Sequence, residues 1–239
     1  MKWLNKISVV ALTSLCLVVL VGTVGVMRLI QSTSDHYGRT ALGYAALTQA
    51  GSREDVGEVE LVDFYYYGCP HCNDFEAPLD AWVAHEGSRV RIRRVPVGSD
   101  DVRVRQAHLY YALSSMGLAE RFQSAIYIEV HQHGNALDTD AKILTWVKNQ
   151  GLDIDQFARA YHSPTVEAER QAGIAELKRD EISTVPTVVV GNQWVVSPTT
   201  AGGIAAALDA MSGRVQATAL SPSKVASGCD RVARCDPYP

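Results

Sequence analysis

Hydrophobic and polar positions change period several times along the chain, and each change marks an element. From Val59 to Tyr67 apolar, β-branched and aromatic residues run with few breaks, the pattern of a strand covered on both faces of a sheet. Pro70 then suits the first position of a helix, whose apolar residues Phe75, Leu79, Trp82 and Val83 recur at three- and four-residue spacing. A second strand is predicted over 90–97. Its run Arg91-Ile92-Arg93-Arg94 alternates as a strand does and reads as a solvated sheet edge. Together these form a strand–helix–strand unit.

Residues 101–162 change character. They carry helical periodicity in four pieces, 101–115, 117–131, 138–150 and 153–161, punctuated by Gly117, Gly134 and Gly151, with Asp138 or Thr139 as a cap. A longer helix over 164–179 leads back to a strand over 183–190. Gly191-Asn192 then separates that strand from a partner over 193–196, a hairpin signal. An Ala-rich helix from Thr199 to Met211 presents Ile204 and Leu208 on one face. Residues 31–57 read as a polar tether with a short edge strand near Tyr44–Leu47, and the Ser-, Pro- and Gly-bearing tail from Gly213 reads as poorly ordered. The order implies an α/β fold with a helical insertion between two halves.

The first thirty residues stand apart. Lys2 and Lys6 precede an apolar run from Ile7 to Met27, 21 residues without a charge, closed by Arg28. That length matches a bilayer-spanning helix better than the roughly 7–15 apolar residues of a cleaved signal. No Ala-x-Ala site follows directly, and Leu15 is bulky for a lipobox ending at Cys16. The expectation is a membrane anchor at residues 7–27, with a cleaved signal and a soluble periplasmic protein as the alternative. In either case residues beyond about 30 face an extracytoplasmic compartment, where stable disulfides are permitted.

Composition adds bounds. Of the 239 residues, 47% are hydrophobic and 20% charged, enough for a sizeable globular core. The net charge of −4 with no long basic run offers no footprint for nucleic acid. Cys16 lies in the apolar run, which leaves Cys69, Cys72, Cys229 and Cys235 in the exported part.

Cys69-Pro70-His71-Cys72 raises three readings. Structural zinc usually needs four ligands, and Cys229-x5-Cys235 is a poor second half. A bridge between residues 69 and 72 closes so small a loop that it adds little stability. Electron exchange fits better: Cys69 falls at a helix N-terminus, where unpaired N–H groups and the helix dipole favour a thiolate. An imidazolium at His71 would favour it further. Stabilising the thiolate weakens the disulfide, so the pair should be oxidising.

The segment Asp63 to Glu76, reading DFYYYGCPHCNDFE, resembles the active-site segment of the DsbA family of thiol:disulfide interchange proteins, and the resemblance runs from about Tyr44 to Met211. It implies a thioredoxin-like fold divided into a first half at 58–98, an inserted helical domain at 99–162 and a second half at 163–212. Outside these lie 1–30, 31–57 and a tail at 213–239. It implies a cis Pro186 beside the cysteines, with the Val185 backbone presented to substrate, Val being typical of the oxidases. It also matches Asp63 to a buried acid that moves a proton to or from Cys72, against the simpler reading of a satisfied strand-end carboxylate. Arg94 and Glu76 take places near that acid, as tuners of its charge or as solvated faces.

The expected substrates are exported thiol-bearing proteins, and the family further implies a membrane-bound reoxidising partner of the DsbB type; no cofactor is expected, and the ligand count argues against a metal. Cys229 and Cys235 have no counterpart in the basic pattern; a short tail disulfide, an accessory redox pair that exchanges with Cys69, or two free thiols are open to them. His131 and His133 read as a solvated helix end. Two rival readings are a reductase or isomerase of the same fold and a non-catalytic, anchored chaperone-like module.

Overall fold

The computed structural model describes residues 44–46 and 58–220. Five strands, β1 (Tyr44–Ala46), β2 (Val59–Tyr65), β3 (Val90–Pro96), β4 (Thr187–Val190) and β5 (Trp194–Val196), form one sheet in the order β1-β5-β4-β2-β3. The β2–β3 pair is parallel and the others are antiparallel. Strand β2 is nearly continuous in apolar residues because helices cover both faces of the sheet. Val59 and Leu61 pack with Phe75, Leu79, Ala207 and Met211 on one side, while Val62 and Phe64 pack with Val95, Ile174 and Leu177 on the other.

Helix α1 (Pro70–Glu86) crosses between the parallel strands. Four helices follow: α2 (Asp101–Ser115), α3 (Ala119–His131), α4 (Asp140–Asn149) and α5 (Ile154–Tyr161), each close to its expected span. Asp100, Thr139 and Asp153 cap α2, α4 and α5 by accepting backbone N–H bonds three residues on, which explains where these helices begin. Helix α6 (Pro164–Arg179) starts at the Ser163 cap and returns the chain to the sheet. At its middle, Gly173 lets the helix approach closely: a Cβ there would stand 2.7 Å from Val95 Cγ1 and 2.8 Å from the Tyr111 hydroxyl.

Three boundaries differ from the sequence expectation. The strand expected over 183–190 is shortened to Thr187–Val190, because the cis Val185–Pro186 bond and its turn occupy the preceding residues. The last helix is split by Gly202-Gly203, both at positive φ, into α7 (Pro198–Ala201) and α8 (Ile204–Leu220). Helix α8 also runs well past Gly213, where a tail was expected, since Val215 is buried against the sheet in line with Ala207 and Met211. Among the described residues no helix is long and apolar enough to cross a membrane; the apolar run at 7–27 lies outside them, as do Cys229 and Cys235.

Candidate active site

Strand β2 ends at Tyr65, and a turn closed by the Cys69 N–H donating to Tyr66 O at 3.1 Å delivers Cys69 to the start of α1. Cys69 is the N-cap, in extended conformation, and Pro70 follows at the first helical position, where a missing N–H costs nothing. The Cys72 N–H donates to Cys69 Sγ at 3.3 Å, so the sulfur takes the role that a Ser or Asp oxygen plays at other caps. Both cysteines are free thiols and both are largely buried, while Pro70 and His71 are exposed.

Across from the pair, the Val185–Pro186 peptide is cis, and Cys69 Sγ lies 3.9 Å from Val185 O. Ser197 Oγ donates to Pro186 O at 2.8 Å, tying this loop to the end of β5. The loop therefore sets half-buried Val185, with its carbonyl, next to the sulfur.

The two thiols differ in acidity. Hydrogen bonding from the Cys72 thiol lowers Cys69 to about 6 against the opposing effect of burial, helped by the backbone N–H groups of Cys72 and His71 and, less, by the His71 charge. The same hydrogen bond, with burial, holds Cys72 far above the ordinary thiol range. One thiolate, on the more accessible sulfur, is what this arrangement favours.

Beneath the pair lies a buried polar group. Asp63 is 2% exposed; desolvation pushes its carboxyl up to about 7 despite the opposing effect of Arg94. Burial likewise raises Glu76 to about 8. Arg94 is not on a solvated face: β3 is an edge strand with Arg91 exposed, but the Arg94 side chain turns inward and binds Glu76, Asp80 and Glu120. Glu76 is buried as well.

Sequence reasoning missed the aromatic cluster that packs with the cysteines, built from β2, the turn after it and the inserted helices. Tyr65, Tyr67, Tyr110 and Tyr127 pack edge-on or tilted with ring centroids 5.1–6.2 Å apart. The Tyr67 hydroxyl donates to Gln123 Oε1 at 2.6 Å. A signal for Gln123 was present, since it interrupts the apolar stripe of Phe122 and Ile126 on α3. His131 is not a solvated helix end either: its Nε2 bonds to Tyr67 O at 2.7 Å, whereas His133 is exposed beside Glu129. Among the described residues no cluster of His, Cys, Asp or Glu could hold a metal ion.

A sheet of this order, with a Cys-Pro-His-Cys helix start facing a cis-proline loop, defines a thioredoxin-fold protein-disulfide oxidoreductase. The family model of the DSBA-like thioredoxin domain matches residues 60–207, and the chain belongs to that family. The thiol:disulfide interchange protein DsbA of Burkholderia cepacia is 36% identical over 143 residues, spanning 60% of this chain and 68% of the relative. That of Azotobacter vinelandii is 31% identical over 147 residues, 62% and 69% of the two chains. Among solved structures, DsbA of Pseudomonas aeruginosa superposes with TM-score 0.66 at 23% identity, covering 73% of this chain and 94% of that one. DsbA of Xylella fastidiosa gives TM-score 0.66 at 24% identity, covering 73% and 94%.

Proposed function

We propose that this chain works in the oxidising direction, donating a Cys69–Cys72 disulfide to exported proteins. A substrate thiolate attacks Cys69 Sγ and the intramolecular S–S bond breaks. Cys72 leaves as a thiolate and takes up a proton, for which the buried Asp63 carboxyl is the neighbouring source. A second substrate thiolate then attacks the substrate sulfur of the mixed disulfide and releases Cys69 as a thiolate. Two electrons have passed from substrate to the pair, and the substrate leaves with a disulfide. The Val185 backbone beside Cys69 is suited to holding the extended substrate segment, with the Ser197 hydrogen bond to Pro186 O keeping the loop in place.

The observation that carries this reading is the placement of Cys69 Sγ at the α1 N-cap, where it accepts the Cys72 N–H. A group that stabilises the thiolate stabilises the reduced pair, which is the property of an oxidant and the reverse of what a reductase needs. The exported setting is supported by the lysine-flanked apolar run at 7–27, as a retained anchor or a removed signal. The reduced pair then returns its electrons to a membrane-bound, DsbB-like partner. The deciding experiment is the reduction potential of Cys69–Cys72 against glutathione. A value near −120 mV is expected, and one below about −200 mV would sink the oxidant reading.

A further inference from the structure

The turn from Tyr66 to Cys69 is held from the inserted helices. His131, the last residue of α3, brings Nε2 to 2.7 Å from Tyr67 O. A carbonyl can only accept, so the imidazole Nε2–H donates. The ring also stacks on Tyr127, with centroids 6.0 Å apart and planes 24° from parallel. Since the Tyr67 hydroxyl donates to Gln123, α3 grips Tyr67 by its side chain and by its carbonyl. From α2, the Arg103 guanidinium lies 4.3 Å over the Tyr66 ring.

We propose that His131 is a positioning residue for the dithiol: by holding Tyr67 O it fixes the turn that sets Cys69 Sγ at the helix N-terminus. The proposal rests on the reading of Cys69 as the activated sulfur. Tyr67 is buried, so its carbonyl would lose a partner without the imidazole, and the Tyr67–Gly68 peptide plane would turn to find another. Cys69 is two residues further on. Its bond from the Cys72 N–H needs the N-cap backbone at φ −82° and ψ 117°, an orientation that a rotated Tyr67–Gly68 peptide would disturb. Loosening the turn therefore weakens the thiolate and makes the pair a poorer oxidant. The donor exists in both the neutral Nε2–H tautomer and the imidazolium, so the contact requires a hydrogen-bond donor and not a charge.

The test uses the full chain with His131→Phe, which keeps a ring against Tyr127 but removes the donor, and His131→Gln, which restores an N–H. The readouts are the pH dependence of Cys69 alkylation, followed by mass spectrometry of the peptide that carries it, and the equilibrium of Cys69–Cys72 with glutathione. His131→Phe is expected to lower the thiolate fraction at pH 6 and to shift the glutathione equilibrium toward the disulfide, each by roughly threefold or more. His131→Gln is expected to recover most of both. A His131→Phe protein that alkylates as the unmodified chain does, or a His131→Gln protein that shifts as far as Phe, overturns the proposal. Should Phe prevent folding, His131→Leu supplies the donor-free comparison. A different failure marks the underlying reading: if Cys69 of the unmodified chain titrates as an ordinary thiol, near pH 8.5, the sulfur was never activated and both ideas fall together.

Discussion

Asp63 on β2 and Arg94 on β3 are register partners across the parallel pair, and both are 2% exposed. Yet the Arg94 guanidinium binds Glu76, Asp80 and Glu120 from α1 and α3, and Asp63 Oδ1 makes no hydrogen bond. The arginine thus fastens two helices to the sheet edge and leaves the acid beneath the cysteines incompletely compensated. That shortfall is why its carboxyl stays protonated to about pH 7.

Stability should fall as pH rises. Asp63 goes from an ordinary 3.8 to about 7 on folding and Glu76 from 4.5 to about 8, so between about pH 4 and 8 the folded chain keeps protons that the unfolded chain has released. The contribution is fully present below pH 4 and is lost through this window, by about 2–4 kcal/mol for Asp63. Urea unfolding at pH 4, 6 and 8 measures it. Asp63→Asn should make the profile shallower, leaving the part that Glu76 carries, and an unchanged slope would reject the buried-acid account.

Removing Arg94 should hurt most at high pH. The guanidinium opposes the desolvation of both Asp63 and Glu76, so without it each carboxyl is held neutral to a still higher pH. Arg94→Met is expected to destabilise by about 3 kcal/mol at pH 8 and by clearly less at pH 5, where protonated acids need no counter-charge. Equal losses at the two pH values would contradict this.

The two cysteines should titrate unequally. Cys69 is expected to become a thiolate with a midpoint near 6 while Cys72 stays protonated. Cys72→Ala removes the thiol that donates to Cys69, and the midpoint should rise. Alkylation kinetics at each cysteine against pH provide the check; two thiols ionising together near the ordinary value would refute it.

Gly173→Ala should destabilise the fold by about 1–3 kcal/mol without touching the cysteines, because its methyl would press on Val95 and the Tyr111 hydroxyl. A thermal melt at a pH where the mutant remains folded is sufficient. An unchanged midpoint would mean that α6 can slide away from β3 at no cost.

Local signals carried much of the architecture. Caps and glycines mark α2 to α6 because they satisfy or release backbone groups within three or four residues, and those interactions are written next to one another in the chain. The Cys-Pro-His-Cys start of α1 was legible for the same reason. The continuation of α8 past Gly213 was not, since what keeps Val215 helical is burial against the distant sheet.

The sequence by itself therefore determined the strand–helix–strand unit, the inserted helices and the cysteine pair with its activating N-terminus. Only the tertiary structure decided that Arg94 is buried, that Asp63 lacks full compensation, and that Gln123 and His131 hold Tyr67. Those facts depend on pairs 14 to 64 residues apart, such as Arg94 with Asp80 and His131 with Tyr67. Periodicity tells which face of an element is covered; it cannot tell which polar atom from a remote helix will meet it there.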